Sequence, residues 1–380
     1  MFYKKMFLLL SIILFTQITF NSTKSQCFNI CIPNNDEFVK NKLTENFKPD
    51  FHINKQTDQD IKVLNEMKEL FVEPDPIQAK KLKQKDNIKC YSEREVYNKA
   101  IDKYNAQEVI VRTKDDFRLS ALYFKNPNAI LNIIYITGYF NDQTPSGKWA
   151  TPFWPMHKAE LNDSLSIPTN MLVFDWRSFG FSEGKKSIFS RYDFGANAYL
   201  DIQAVIDFIK KDNKNPIILV GFCAGAAMAM KATIEAQKKG NSTADGLVLN
   251  SIFSKFENQF NRACIAEDRL LRKIIMKFPI ARWYLDLKLN GSIFDLNPIE
   301  MIEDIKIPCY FEHFTYDPFA VLEEAIEVYQ KAKEKNIFTK FMLSDIGNHV
   351  RIHSKAPFQY RESLYNFLKE SGIIKNYNCS

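Results

Sequence analysis

A cysteine between two glycines is the side chain of this sequence best placed for covalent chemistry. The pentapeptide Gly221-Phe222-Cys223-Ala224-Gly225 follows the apolar run 216–220 and leads into an alanine-rich, helix-forming stretch. A strand, then glycine-x-nucleophile-x-glycine, then a helix is the layout of a nucleophile elbow, which is normally built around serine. With cysteine in that place, the pattern predicts a thiol nucleophile. The simpler alternative is a buried cysteine in a tight, glycine-flanked turn.

The two glycines have a steric reason to flank the nucleophile. A nucleophile on a sharp strand-to-helix turn has strained backbone angles, and its neighbours two positions before and after must be small. Gly221 and Gly225 meet this requirement, and Ala226 and Ala227 allow the helix to approach the sheet. We therefore expect Gly221 and Gly225 to be structural residues of an elbow around Cys223.

A thiol nucleophile needs a general base and an acid that orients the base. His349 has the best setting among the five histidines, because it lies in the loop Asp-Ile-Gly-Asn-His between a predicted strand and a terminal amphipathic helix. His353 is a less favoured alternative, and His313 is expected to be a strand residue. Asp317 lies in Thr-Tyr-Asp-Pro after a predicted strand and is the candidate acid, although aspartate before proline is also common in ordinary turns.

The elements that must hold these residues alternate regularly. From residue 107 onward, β-rich and helical segments follow one another, and Lys114-Asp115-Asp116 indicates a hairpin turn. The expected strands are 108–113, 117–124, 130–137, 171–176, 216–220, 246–250, 308–314 and 338–343, and the expected helices are 196–210, 224–237, 320–335 and 359–369. This alternation predicts an α/β fold whose mostly parallel central sheet has helices on both faces. We assign it to residues 106–375.

Within that domain the alternation lapses over residues 258–305. The segments 270–277 and 280–289 are apolar at helical spacing, which predicts a small helical cap inserted after a strand. In open α/β sheets, ligands bind outside the carboxyl ends of the strands. We therefore expect the cap to lie over that edge of the sheet.

The first 105 residues read as two further segments. Lys4 and Lys5 precede an apolar stretch, 6–20, and small and polar residues follow, which predicts a signal peptide over 1–25 and an exported protein. The apolar stretch is short for a membrane anchor, which needs about 20 residues. Membrane contact is therefore expected only if the segment stays uncleaved. Residues 26–105 are polar with helical periodicity and predict an N-terminal helical extension.

Charge and cysteine content limit the class of protein. The net charge is +6, and +3 without the first 25 residues, which is too small to indicate a nucleic-acid partner. Seven cysteines in an exported chain suggest one free thiol, with Cys223 as the candidate. The other six could pair, or Cys309 could simply be buried in a strand. Cys27 and Cys31 have near-metal spacing but no nearby Cys or His partners, so we expect no metal site.

Several of these segments resemble the α/β-hydrolase superfamily. The chain order Cys223, Asp317, His349 matches its order of nucleophile, acid and histidine. Residues 175–184, Asp-Trp-Arg-Ser-Phe-Gly-Phe-Ser-Glu-Gly, look like the segment after the fourth strand in monoglyceride-lipase-like and serine-aminopeptidase-like members. Ile307-Pro308-Cys309 resembles the start of the strand before the acid. The resemblance covers about residues 107–371 and does not explain residues 26–105.

The sequence departs from these members at three positions. Cys223 replaces serine, as in dienelactone-hydrolase-like members, Thr137 replaces a histidine before the oxyanion-loop glycine, and Ser178 replaces a glycine. The resemblance implies oxyanion donors in the backbone N–H groups of Ala224 and Tyr139, because backbone amides survive side-chain changes.

The resemblance also implies an activity. It predicts a secreted hydrolase with a Cys-His-Asp triad that cleaves an ester, thioester or lactone through an acyl-enzyme and needs no cofactor. A catalytically silent interaction protein on the same fold, and an acyltransferase with the same triad, are the alternatives. The expected partner is a small-molecule or acyl substrate. The sequence names neither the substrate nor the oligomeric state.

Overall fold

The structure is a computed structural model of the 380-residue chain. It describes residues 47–62, 105–138, 167–177, 181–183, 197–241, 243–259, 296–317, 319–347, 349 and 355–374. Predictions for the signal peptide, for most of the N-terminal extension and for residues 260–295 of the cap lie outside these residues.

The described residues contain nine strands in one sheet. The strands are β1 (Phe51–Ile53), β2 (Gln107–Arg112), β3 (Arg118–Phe124), β4 (Leu131–Ile136), β5 (Thr169–Phe174), β6 (Ile217–Phe222), β7 (Gly246–Asn250), β8 (Cys309–Phe314) and β9 (Thr339–Ser344). Their spatial order is β1-β9-β8-β7-β6-β4-β5-β3-β2. Strand β3 is antiparallel to both β2 and β5, and every other pairing is parallel. The predicted mostly parallel sheet is confirmed.

Helices cover both faces of this sheet. They are α1 (Ala198–Asp212), α2 (Ala224–Lys238), the single turn α3 (Pro298–Met301), α4 (Leu322–Glu334) and α5 (Pro357–Glu370). Apolar residues of α1, α2 and α4 pack into one core, and those of α5 pack into a second core on the opposite face. Strands β4, β6 and β8 are buried along their whole length, as parallel strands covered on both faces must be. The prediction of helices on both faces is therefore confirmed.

The strand order reverses its direction beside Cys223. From β4 the chain passes to β5 on one side, and β6 lies on the other side of β4. Such a reversal of direction is a topological switch point, where open α/β sheets bind ligands outside the strands' carboxyl ends. Gly138 follows β4 and Cys223 follows β6, so both lie at this point.

Strand β1 is an element that the hydrophobic pattern does not indicate. It pairs in parallel with β9 and forms one edge of the sheet, with Phe51 opposite Met342. Asp50, just before it, accepts hydrogen bonds from the Tyr329 hydroxyl at 2.9 Å and from the Phe341 N–H at 2.8 Å. A three-residue strand is too short for alternation to predict it, because tertiary contacts with β9 create it. Other parts of the predicted helical extension that fall outside the described residues stay a prediction.

The segment after β5 anchors the sheet through one arginine. Arg177 donates to Asp201 of α1 at 2.6 and 2.8 Å and to Asp115 of the β2–β3 turn at 2.6 and 3.1 Å. Its guanidinium also lies 4.4 Å from the ring centre of Phe117. This pairing of a buried cation with two carboxylates ties the hairpin to α1, which explains the residue type on structural grounds alone.

Candidate active site

Cys223 lies on a strained turn between β6 and α2. Its backbone angles are φ 53° and ψ −118°, in a region that residues with a side chain seldom occupy. The Cys223 N–H is held by the carbonyl oxygen of Asn250 at the end of β7, at 2.8 Å. A strained residue held by a neighbouring strand is characteristic of a functional turn. The side chain is buried, with the residue 7% exposed.

Three glycines make room for this turn. A Cβ on Gly221 would come within 2.5 Å of Ala226 Cα, and one on Gly225 within 2.3 Å of the Ile136 carbonyl oxygen. A Cβ on Gly138 would lie 2.6 Å from the Phe222 oxygen and 3.0 Å from Cys223 Cβ. At each of the three glycines the shortest of these distances is below 3.0 Å, closer than real Cβ atoms approach, so each position excludes larger residues. The glycines therefore let β4, β6 and α2 meet closely around Cys223.

The predicted oxyanion donors are placed in part. Ala224 is the first residue of α2, and the N–H groups of a first helical turn have no intrahelical acceptor. The helix N-terminus also carries a partial positive charge that favours an anion there. Gly138, the residue before Tyr139, approaches Cys223 directly. Tyr139 itself lies outside the described residues, so its role stays a prediction.

Asp317 and His349 form a hydrogen-bonded pair. The Nδ1 atom of His349 lies 2.9 Å from Oδ1 and 2.7 Å from Oδ2 of Asp317. The Asp317 carboxyl is fully buried, and its Oδ1 also accepts the N–H groups of Phe319 at 2.9 Å and Ala320 at 3.0 Å. These two amides fix the carboxylate in the loop after β8. The aspartate can therefore orient the imidazole.

The electrostatics of His349 connect it to both partners. Burial opposes the charged imidazolium, but the charge and hydrogen bond of Asp317, and then a hydrogen bond and charge interaction with Cys223, raise the pKa of His349 to about 10. Burial likewise opposes ionisation of Asp317, but His349 outweighs it and holds the pKa of that carboxyl below its usual range. Cys223, His349 and Asp317, separated widely in sequence, are thus brought together.

A second histidine lies behind this pair. His313 is buried in β8, as predicted for a strand residue, and its Nδ1 lies 2.9 Å from the Phe314 carbonyl oxygen. Burial lowers the pKa of His313, although the negative charge of Asp317 acts in the opposite direction. The ring of Phe319 lies 4.9 Å from that of His349. His313 is therefore a neutral neighbour of the pair rather than its base. His353 and His157 lie outside the described residues.

The segment 47–62 hydrogen-bonds to residues on both sides of the loop that carries His349. On one side the Asp345 N–H donates to Ile53 at 2.9 Å, and the His52 ring lies 3.1 Å from the Asp345 carboxyl. On the other side Asp60 accepts the N–H groups of Phe358 at 2.9 Å and Gln359 at 3.2 Å. Sequence reasoning missed these contacts, because no local pattern links residues almost 300 positions apart.

Three further findings on the described residues concern metal ligands, thiols and membrane-spanning helices. Among them, no group of three or more His, Cys, Asp or Glu side chains could hold a metal ion. Cys223 and Cys309 are both free and buried, and the other five cysteines lie outside the described ranges. Within the same part of the chain, no helix is long and apolar enough to cross a membrane.

The comparison of the chain with known proteins agrees on the fold. No protein-family model matches it. The uncharacterised protein YqkD of Bacillus subtilis is 24% identical over 204 residues, and the match covers 54% of this chain but only 63% of that relative's length. An esterase of Pyrococcus furiosus aligns with TM-scores of 0.54 and 0.52 in two crystal forms, at 20% and 22% identity. Each alignment covers 75% of this chain and 96% or 95% of the esterase. The sheet order, the elbow and these neighbours together show that this chain has the α/β-hydrolase fold.

Proposed function

We propose that this protein is a hydrolase of ester-type bonds with Cys223 as its nucleophile. The observation that carries the proposal is the strained turn at Cys223 beside the His349–Asp317 pair. A buried thiol in an ordinary tight turn would not need a base held by a buried carboxylate. The esterase neighbours support the same class of reaction, although likeness at this level establishes only the fold.

The reaction follows from the positions of the groups. The proton of Cys223 passes to His349, whose raised pKa favours the imidazolium at pH 7, and the resulting thiolate attacks the acyl carbonyl carbon. The Ala224 N–H and, by the resemblance, the Tyr139 N–H stabilise the oxyanion. His349 then gives its proton to the leaving alcohol, and an acyl-thioester on Cys223 remains. Water next attacks this thioester through His349, which releases the acid and restores the thiol.

Asp317 contributes by orientation and charge. An ionised carboxylate only accepts hydrogen bonds, so the proton of the pair lies on Nδ1 of His349. Nε2 is then the nitrogen available to the Cys223 thiol. The Asp317 charge also stabilises the imidazolium that forms when the thiol is deprotonated. The side chain of His349 keeps 17% of its surface exposed, which is consistent with access from the ligand side.

Two alternative functions, a silent interaction protein and an acyltransferase, can be tested with the same purified protein. A silent interaction protein on this fold would have no reason to keep His349 and Asp317 against Cys223, and this contact counts against it. An acyltransferase would use the same first half-reaction and pass the acyl group to an alcohol or amine. Product analysis with added alcohols and amines separates the transferase from the hydrolase.

The test is turnover of p-nitrophenyl esters of two to twelve carbons by the purified full chain. We expect Cys223→Ala to lose activity by about 10³-fold or more, because the covalent intermediate cannot form. Iodoacetamide should label Cys223 and abolish turnover. Cys309→Ala is the matched control, because it removes the other buried thiol of the described residues and should leave turnover intact. An inactive wild type with an unreactive Cys223 would contradict the proposal.

Export belongs to the same proposal. It rests on Lys4 and Lys5 before the apolar stretch 6–20, which has the features of a signal peptide. N-terminal sequencing of the protein from its own host should find a start close to residue 26. A mature chain that begins at Met1 would contradict cleavage.

A further inference from the structure

A buried glutamate, Glu312, lies on the strand next to β7, whose last residue Asn250 holds the Cys223 N–H. Glu312 is in β8, is 1% exposed, and stands opposite Asn250 of β7 in the sheet register. Asn250 in turn stands opposite Phe222, the residue before the nucleophile. A carboxyl group this deep in a core requires a physical reason, because burial without compensation is costly.

The Glu312 carboxyl has few hydrogen-bond donors and no paired cation among the described residues to stabilise it as an anion. Asn250 Nδ2 donates to its Oε2 at 2.7 Å, and the Tyr360 hydroxyl of α5 also hydrogen-bonds the carboxyl group. Its Oε1 is buried without a partner, and no Lys or Arg of the described residues forms an ion pair with Glu312. Burial raises the pKa of Glu312 to about 8, despite the opposing hydrogen bonds from Asn250 and Tyr360. The group is therefore a neutral acid at pH 7.

The main chains of Asn250 and Glu312 hold the residues that follow β6 and β7. The Cys223 N–H donates to the Asn250 carbonyl oxygen and the Ser251 N–H to the Glu312 carbonyl oxygen, both at 2.8 Å. Cys223 and Ser251 both have left-handed backbones, with φ of 53° and 50°. Two adjacent strand ends thus leave the sheet in strained conformations, and the Glu312–Asn250 side-chain bond joins the strands beneath them.

We propose that Glu312, as a neutral carboxylic acid, is a positioning residue for Cys223: it fixes Asn250, whose main chain holds the nucleophile turn, and its ionisation releases that hold. The inference deepens the proposed function, because it takes Cys223 to be the nucleophile. A buried carboxylate needs more donors than Asn250 and Tyr360 supply, so ionisation favours rearrangement or entry of water. Either change would move the strand end on which Cys223 rests.

The other titratable groups around Glu312 have pKa values away from 8, so the ionisation of Glu312 can be distinguished from theirs. Tyr310 on β8 and Tyr360 on α5 both interact with it, and burial, followed by the Glu312 charge, raises the pKa of each well above its ordinary value. Tyr135 of β4 interacts with Tyr360. His313, its neighbour in β8, has a pKa lowered by burial, and His349 ionises near 10. Among these described groups, Glu312 is the one that changes charge near pH 8.

The first test measures Cys223 alkylation by iodoacetamide in the full chain between pH 6 and 10, with the modified peptide quantified by mass spectrometry. Glu312→Gln keeps a neutral side chain of the same shape but cannot ionise. We expect wild type and Glu312→Gln to react within about twofold of each other at pH 6.5, and the wild type to fall about five- to tenfold behind at pH 9. Glu300→Gln, which removes an exposed glutamate, should behave as wild type. Equal pH dependence in all three proteins would overturn the proposal.

The second test uses unfolding and needs neither a substrate nor a reactive thiol. Because the folded pKa of Glu312 is raised above its unfolded value of 4.5, the stability that Glu312 contributes is complete below pH 4.5 and is lost as pH rises through about 8. The urea midpoint of wild type should therefore fall relative to Glu312→Gln over this interval. If Glu312→Gln does not fold, Asn250→Ala replaces it, and unchanged Cys223 alkylation in that variant would overturn the proposal.

Ester turnover is recorded on the same samples to separate the two proposals. We expect the alkaline loss of kcat/KM to lie near pH 8 in wild type and to move toward 10 in Glu312→Gln. If no protein turns over esters while alkylation and unfolding still show the Glu312 transition, the proposed function fails and the positioning role stands. If turnover occurs with an identical alkaline limb in both proteins, the positioning role fails and the hydrolase stands.

Discussion

His349 Nδ1 lies within hydrogen-bond distance of both carboxylate oxygens of Asp317, at 2.9 and 2.7 Å. The aspartate comes from the loop after β8 and the histidine from the loop after β9, two neighbouring parallel strands. Because parallel strands end at one edge of the sheet, the two loops meet there. This contact fixes the imidazole orientation and makes Asp317 a target for a specific prediction.

Replacing Asp317 by Asn should impair the base without removing a hydrogen-bond partner. The amide has no charge to stabilise the imidazolium, so the pKa of His349 should fall from about 10. It also favours the wrong histidine tautomer, which in a comparable triad reduces kcat by about 10⁴-fold. We expect a loss of turnover on the order of 10²- to 10⁴-fold, measured with p-nitrophenyl esters. Asp304→Asn, at an exposed carboxylate, is the control and should leave turnover unchanged.

The same pair should also make stability depend on pH. The folded pKa of His349 lies above its unfolded value of 6.5, so its contribution is complete below pH 6.5 and is lost as pH rises through about 10. Thermal melts between pH 6 and 10 should show this decline in wild type and a smaller one in Asp317→Asn. Parallel curves for the two proteins would contradict the charge coupling.

Gly225→Ala should damage the elbow through a backbone clash. The new Cβ would lie 2.3 Å from the Ile136 oxygen and 2.5 Å from the Thr137 oxygen, and neither backbone atom can move without shifting β4. We expect a loss of about 1–3 kcal/mol in the free energy of unfolding and a loss of turnover. Gly240→Ala is the contrast, because that site has open space and only a left-handed backbone, which costs about 1 kcal/mol. Urea unfolding of both variants measures the difference.

Arg177→Leu should unfold the protein more readily than a surface change of the same type. It leaves Asp201, which is fully buried, without its cation, and breaking a buried pair in this way costs about 3–5 kcal/mol. The control is Arg118→Leu, whose exposed pair with Glu183 contributes about 0–1 kcal/mol. Chemical denaturation provides both values. Similar losses in the two variants would show that the Arg177 cluster does not stabilise the hairpin against α1.

Asp60→Ala tests whether the N-terminal segment 47–62 supports the loop that carries His349. Asp60 caps the first turn of α5 from outside the helix, through the N–H groups of Phe358 and Gln359. Its removal should cost about 1–2 kcal/mol in the free energy of unfolding, as loss of a helix cap does. It should also lower turnover several-fold by loosening the loop of His349.

Asp58→Ala, at an exposed carboxylate two residues earlier, is the matched control for Asp60→Ala and should change neither quantity. Full turnover in Asp60→Ala, despite lower stability, would mean that the segment supports the fold but not the histidine.

Local sequence was sufficient for the main elements. Strand β7 was predicted at its observed bounds, and α2 within one residue, because buried parallel strands and alanine-rich helices have strong patterns. The glycine pattern around Cys223 predicted the sharp turn, since a steric requirement is visible in residue types alone. The loop settings of His349 and Asp317 after predicted strands selected the base and acid candidates, and their chain order then matched the superfamily.

Tertiary structure alone decided the rest. The short strand β1 exists because β9 offers it an unpaired edge, and no pattern in three residues can indicate that. Glu312 and Asn250 looked like ordinary strand residues, because their burial and mutual bond depend on which strands become neighbours.

The sequence by itself therefore indicated Cys223 as the candidate nucleophile, the turn that must carry it and the alternation that builds a parallel sheet. Only the folded chain decided that Asp317 reaches His349, that residues 47–62 hold the flanks of the His349 loop, and that the buried Glu312 carboxyl bonds Asn250, whose carbonyl holds the Cys223 N–H. The physical reason is the distance along the chain over which each kind of interaction acts. Steric and periodic rules act over a few residues, whereas hydrogen bonding and burial depend on partners that only strand order brings together.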